Sequence, residues 1–248
     1  MTDQTVVLAL NPDLDIARYA AIYEAEGVVQ IPDVFEARTA RFITMMLEEG
    51  IDWQVIASGE DGRGQSWTRP EMGRLTEAAL NARLGPVLKR ASEGFAFLYF
   101  GYPMIAARLE GRDPGHPIHE VTEFLNGPEF LDFGRAVTGE AGVVKADAQA
   151  TFYRRGDFLT LHDDQGDDER RAAYTLGFTR QWRPEWGGQL LFHAESGEIE
   201  RGFQPAFNVL TFFKVPTLHS VAPVAPYAAA PRLSIVGWLR DDLPPGAR

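Results

Sequence analysis

The segment FLTLHDDQGDDERR, residues 158 to 171, gathers histidine and carboxylate side chains directly after an apolar run. It reads either as a solvated acidic loop or as part of a metal site. If DFLTLHDD is a strand, successive side chains alternate faces. Leu159, Leu161 and Asp163 then share one side, and Thr160, His162 and Asp164 the other. His162 and Asp164 can then meet on one ion. A lone His-x-Asp is weak, because such triplets also occur by chance on surfaces, so a third ligand is required. With no cysteine in the chain, it must be histidine or carboxylate. The later histidines are His193, after GGQLLF, and His219, between FNVLTFFKVPT and SVAPV. Two histidines and one carboxylate form the facial triad of non-haem Fe(II) oxygenases, which leaves positions open for a cosubstrate and O2.

If those positions hold 2-oxoglutarate, its far carboxylate needs a cation, best a guanidinium that grips both oxygens. Arg232 opens RLSIVGWLR, thirteen residues after His219. A strand otherwise so apolar is buried, and an arginine in it needs a partner. Ser234 follows on the same face as a further donor, and Tyr153, nine residues before His162, offers a phenol. Other residues have plainer readings. Asp163, Asp167, Asp168 and Glu169 read as a solvated loop, and His193 as a strand-end residue. His116 and His119 in GHPIHE read as surface residues, since the proline between them blocks a regular helical pair. Gly187 and Gly188 read as a turn. GFAFLYFGYP reads as core or as a lid over the site, with Tyr99 or Tyr102 placed to touch substrate.

The elements that must position these groups change character near residue 142. Helical periodicity recurs over 14–26, 37–49, 76–94 and 120–137, with an extended VVQIPDVF between the first two. Short runs rich in β-branched and aromatic residues follow: VVKADAQATFY, DFLTLHDD, AAYTLGFTR, GGQLLFH, FNVLTFFKV, HSVAPV and RLSIVGWLR. That spacing predicts a sandwich or jelly roll rather than a parallel βαβ sheet. The 248 residues, 45% hydrophobic and 11% aromatic, can fill a sizeable core. A net charge of -11, from 24 Lys and Arg against 35 Asp and Glu, repels phosphate backbones and argues against direct nucleic-acid binding. The start MTDQTVVLAL lacks a cationic region, and the uncharged stretch 94–107 is too short and too interrupted to span a membrane. A cytoplasmic protein without a membrane partner is expected.

YRRGDFLTLHDD, RRAAYTLGFTRQWRPEWGGQLLF, FNVLTFFKVPTLHSVAPV and PRLSIVGWLR together resemble the prolyl 4-hydroxylase-like 2-oxoglutarate and Fe(II)-dependent dioxygenases. The nearest likeness is to the branch that hydroxylates a proline of a small-subunit ribosomal protein. It spans about residues 143 to 241, and FLNGPEFLDFGRAVTG more loosely resembles the helical segment before that branch's core. The resemblance implies a double-stranded β-helix (jelly roll) core over 143–241, braced by mostly helical support over 1–142, in a single 1–248 domain. It implies His162, Asp164 and His219 as iron ligands and Arg232 as the anchor of the 2-oxoglutarate C5 carboxylate. Tyr153 would bond that carboxylate and Trp238 would line the site. The implied cofactor and cosubstrates are Fe(II), 2-oxoglutarate and O2, with ascorbate as a candidate reductant. Two departures stand out. Gly177 falls where eukaryotic relatives often place another tyrosine, and the second, non-catalytic jelly roll of the ribosomal branch has no counterpart here.

Three functions are compatible with these residues. The first is hydroxylation of a prolyl residue in a protein or peptide, releasing succinate and CO2. Its expected partner is basic, such as a ribosomal protein, and it would enter an open groove beside His162 flanked by residues 94–105 and 163–169. The second keeps the chemistry but oxidises a free amino acid or other small molecule. The third, a non-enzymatic jelly-roll binding or sensing module, predicts a degraded triad or a missing anchor arginine, and the sequence has both intact. The oligomeric state is not legible.

Overall fold

The structure is a computed structural model that describes residues 6–166 and 169–243. The helices are α1 (Ile16–Glu26), α2 (Ala37–Glu49), α3 (Arg69–Gly73), α4 (Glu77–Glu93), α5 (Met104–Leu109), α6 (Ile118–Leu125) and α7 (Pro128–Thr138). The first-half strands are β1 (Val28–Pro32), β2 (Gln54–Ser58), β3 (Gly64–Thr68) and β4 (Phe97–Tyr102). There follow β5 (Lys145–Ala146), β6 (Gln149–Tyr153), β7 (Phe158–His162), β8 (Arg170–Phe178) and β9 (Leu190–His193). The last are β10 (Ile199–Phe203), β11 (Phe207–Lys214), β12 (His219–Val221) and β13 (Arg232–Arg240).

All pairings among these strands are antiparallel, and ten of them form one curled path, β1-β11-β8-β13-β6-β4-β7-β12-β9-β10. From β6 onward the chain crosses repeatedly between β6-β13-β8-β11 on one side and β7-β12-β9-β10 on the other. That is a double-stranded β-helix, mainly β with helices against it. Consecutive strands β6 and β7 do not pair with each other. β4 lies between them, bonded to β7 through Phe97 and Leu98 and to β6 through Phe100, Gly101 and Tyr102.

Strand alternation sets the inside and the outside. On β8, Ala172, Tyr174, Leu176 and Phe178 point into the helix-covered core, and on β13 Leu233, Ile235 and Leu239 do the same. Ile43 and Leu47 of α2, Val121 and Leu125 of α6, and Phe130 and Phe133 of α7 complete that core. Each of these larger side chains, taken out of water, contributes roughly 1.5–3 kcal/mol. The alternate residues Ala173, Thr175, Arg232, Val236 and Trp238 line a cavity between the two sides.

The first half is less purely helical than its periodicity suggests. It supplies β1, which extends the sheet beyond β11, and the β2-β3-β4 group. The single helix expected over 120–137 is two. α6 ends at Asn126, whose side-chain amide pairs with both the carbonyl and the N–H of Ala146 at 3.0 and 2.9 Å. Pro128 then starts α7, where its missing N–H does no harm. Among the described residues no helix is long and apolar enough to cross a membrane.

Candidate functional site

Cross-strand pairing brings the two histidines together. His162 closes β7 and His219 opens β12, the two are register partners, and their ring centroids stand 4.1 Å apart. On each ring Nδ1 meets the carbonyl two residues earlier, Thr160 O at 2.9 Å for His162 and Thr217 O at 2.7 Å for His219. A carbonyl only accepts, so Nδ1 carries the proton and each Nε2 keeps its lone pair for the cavity. Both Nε2 atoms face Asp164, at 3.4 Å from Oδ1 and 3.4 Å from Oδ2. Ligand atoms of the three residues all lie within 4.8 Å of one another. Burial resists ionisation of Asp164, but the His162 and His219 imidazoles beside it outweigh that and hold the carboxyl far below its ordinary range.

The route to this arrangement differs from simple alternation. β7 carries an extra residue against β12, since His162 pairs with His219 but Leu159, not Thr160, pairs with Val221. The bulge resets the phase, so Leu159 and His162 both line the cavity, while Leu161 is 43% exposed. The strand then stops, and Asp164 is delivered by a left-handed backbone, φ +60°. That conformation costs a non-glycine residue on the order of 1 kcal/mol. Asp163 stays out of the triad: its side chain accepts from Gln165 N at 3.0 Å and its carbonyl from Thr217 N at 3.3 Å.

Arg232 lies in the same cavity, 4% exposed. Its guanidinium carbon is 5.1 Å from the Tyr153 ring, its register partner on β6. Among the described residues no carboxylate makes an ion pair with it, and its buried Nη1 has no hydrogen-bond partner. A buried guanidinium in that condition calls for an anionic ligand. Tyr153 stacks on Tyr99 at 5.0 Å, and burial keeps its phenol protonated and able to donate. A triad of hard and borderline donors beside an unpaired guanidinium therefore fits Fe(II) and a dicarboxylate cosubstrate.

The remaining expected residues fall variously. The Ser234 hydroxyl is hydrogen-bonded to Thr151 Oγ1 at 2.7 Å, and Thr151 faces the cavity. Trp238 lines the cavity, with its buried Nε1 left without a hydrogen-bond partner among the described residues. At Gly177 a Cβ would stand 2.5 Å from the Ala206 carbonyl, so the connection between β10 and β11 occupies the space a side chain would need. Tyr99 lines the cavity, whereas Tyr102 turns away and donates to Asp113 at 2.6 Å. His193 bonds Ser220 Oγ at 2.8 Å, and Gly187 and Gly188 both have positive φ in the segment before β9. His116 and His119 are half-buried rather than surface residues and bond the carbonyls of Gly50 and Arg112, each at 2.8 Å. Glu169 is not solvated: its side chain is 18% exposed and pairs with Arg240 at 3.3 Å. Asp167 and Asp168 lie outside the described residues.

The cavity measures about 640 Å³. Its wall beside His162 comes from the β4–α5 stretch, through Phe95, Phe97, Ile105 and Leu109, and on the other flank from Asp164 and Arg170. The sequence does not mark Arg170, since nothing in RRAAYTLGF distinguishes it from Arg171.

Residues 148–240 match the 2OG-Fe(II) oxygenase superfamily. No curated protein matches the chain. Among solved structures, a prolyl 4-hydroxylase from Pseudomonas putida is similar with a TM-score of 0.57 at 18% identity, covering 92% of this chain and 100% of that one. A prolyl hydroxylase from Trichoplax adhaerens, in complex with a hypoxia inducible factor peptide fragment, gives 0.59 at 14%, covering 91% and 89%. SnoN, a non-haem α-ketoglutarate-dependent epimerase of nogalamycin biosynthesis, gives 0.55 at 13%, covering 94% and 91%. At these identities the likeness speaks for the fold, which prolyl hydroxylases share with an enzyme of different outcome.

Proposed function

We propose that this chain, whose residues 148–240 match the 2OG-Fe(II) oxygenase superfamily, is a 2-oxoglutarate- and Fe(II)-dependent dioxygenase that hydroxylates a prolyl residue in a protein or peptide. The observation that carries the chemistry is the pairing, in one cavity, of the His162–Asp164–His219 cluster with a buried arginine that has no anionic partner among the described residues. When bound, Fe(II) supplies the oxidation, in which 2-oxoglutarate and O2 yield succinate and CO2 and one oxygen atom enters a substrate C–H bond.

The chain's own residues provide placement. His162 and His219 each offer a neutral Nε2, because their Nδ1 protons are held by backbone carbonyls. Asp164 enters as the anion and balances part of the metal charge. Arg232 grips the far carboxylate of the cosubstrate, with the Tyr153 phenol as a further donor and Thr151 and Ser234 behind it. Phe95, Phe97, Leu159 and Ile105 keep water from the side where substrate enters and leave the target carbon little freedom.

Support for a prolyl substrate comes from the sequence resemblance and from two structural neighbours that are prolyl hydroxylases. The net charge of -11 suits a basic target such as a ribosomal protein. A second reading is favoured by the cavity itself: about 640 Å³ is room enough for 2-oxoglutarate and a free amino acid together. Mass spectrometry of lysate proteins and metabolites, incubated with the enzyme, Fe(II) and 2-oxoglutarate, separates the two. A gain of one oxygen on a prolyl residue is the expected result. An oxygen gained only by a free metabolite replaces the first reading with the second, and no 2-oxoglutarate turnover under any condition rejects both.

A further inference from the structure

Asp164 reaches the two histidines from a backbone that no strand holds. β7 ends at His162, Asp164 is left-handed, and its carbonyl turns toward the start of β8. There Arg170 Nη1 donates to the Asp164 carbonyl at 2.9 Å. Arg170 is itself seated, with its guanidinium carbon 3.8 Å from the centroid of the Trp238 ring on the adjoining strand β13. Gly166 packs closely beside it, and a Cβ there would stand 3.1 to 3.4 Å from Arg170 Nε, Cδ and Cζ. One side chain therefore ties the start of the loop to its end, and its own direction is set by a ring on the cavity wall.

We propose that Arg170 is a positioning residue for the metal centre: seated on Trp238, it fixes the left-handed backbone that turns the Asp164 carboxylate between the His162 and His219 imidazoles. The inference rests on reading those three residues as metal ligands. No hydrogen bond or ion pair joins Arg170 to a ligand atom of the triad among the described residues, so its influence passes through the Asp164 main chain. Arginine suits the task because a planar guanidinium can stack on an indole and donate in its own plane at once, whereas lysine keeps the charge and a donor but not the stack. Trp238 thereby serves as the platform for the residue that orients Asp164, besides lining the cavity.

The test is titration of the metal-free protein with Co(II), followed by its visible absorption, in the wild type, Arg170→Ala, Arg170→Lys and Trp238→Leu, alongside thermal melts of the same metal-free samples. Arg170→Ala should weaken Co(II) by about tenfold or more and alter the absorption envelope, the size expected for loss of a group that orients a ligand. Its metal-free melt should stay near that of the wild type. Arg170→Lys should fall between the two, and Trp238→Leu should follow Arg170→Ala. If Arg170→Ala does not fold, Arg170→Lys and Trp238→Leu carry the same comparison. Wild-type affinity and spectrum in the Arg170 variants would overturn this inference alone. Absence of Co(II) binding by the wild type, with His162→Ala indistinguishable from it, would overturn the metal reading and this inference with it.

Discussion

Two neighbouring aspartates differ in everything but their chemistry. Asp164 stands 3.4 Å from the Nε2 atom of each imidazole, while Asp163 accepts from the Gln165 backbone and belongs to the loop. Asp164→Ala should therefore abolish 2-oxoglutarate turnover and metal retention, and Asp163→Ala should keep most of both. Turnover assays with metal analysis check this, and the reverse pattern would reassign the ligand. Arg232 gives a second residue-level expectation. A guanidinium at 4% exposure without a carboxylate partner among the described residues is held at a cost when the cosubstrate is absent. Arg232→Met should thus raise the stability of the ligand-free protein by on the order of 1 kcal/mol while removing 2-oxoglutarate binding. Arg232→Lys should bind metal normally and 2-oxoglutarate weakly, because a point charge cannot form two parallel hydrogen bonds. A ligand-free Arg232→Met that melts below the wild type would show that the charge is satisfied by something else.

At the scale of elements, the turn between β6 and β7 carries the chain from one side of the barrel to the other, and it holds a buried acid. Asp157 is 2% exposed and accepts from Arg154 N at 2.7 Å, yet burial pushes its carboxyl up from 3.8 to about 6. A carboxyl raised on folding favours the folded state when protonated. That contribution is complete below about pH 4 and is lost as pH rises through about 6. The displacement corresponds to about 3 kcal/mol. Asp157→Asn should match the wild type near pH 4 and gain on it up to pH 7, as urea unfolding across that range would show. Parallel curves would mean that Asp157 has an ordinary affinity for protons. The same turn shows what a sequence does and does not disclose. The apolar runs after residue 142 reveal most of the barrel strands, and the spacing of His162, Asp164, His219 and Arg232 reveals the cluster, because side-chain type and alternation are local. The β7 bulge is not local, since it exists only in the offset between Leu159–His162 and His219–Val221. Continued alternation predicts Asp164 beside His162, and it arrives there instead through a kink. β10 is hard to read because IERGF offers no apolar alternation, β2 because QVIAS is a short run without alternation, and β3 because GQSWT is short and largely polar. Arg170 became significant only once Trp238 lay beneath it.

Across the whole molecule, the helical first half and the barrel are joined through hydrogen-bonded strands. β1 extends the sheet at β11, and β4 fills the gap between β6 and β7 while its Phe97 and Tyr99 line the cavity. The helices α2, α6 and α7 share one apolar core with β8, β11 and β13. Elements so interleaved should unfold together, and whatever binds the cavity should stabilise all of them. Mn(II) and 2-oxoglutarate, each near a hundred times its Kd, should each add about 2.7 kcal/mol. For a chain of this length each kcal/mol moves the melting temperature by about 2–4 °C, so together they should raise it by on the order of 10 °C or more. The decisive feature is the form of the melt. Circular dichroism at a helix-sensitive wavelength and tryptophan fluorescence should report one transition that moves as a unit. Trp53 sits in the core and Trp238 in the cavity, so both regions are sampled. A melt in which fluorescence shifts with ligand while the helical signal stays in place would show that β4 and β1 do not couple the two halves.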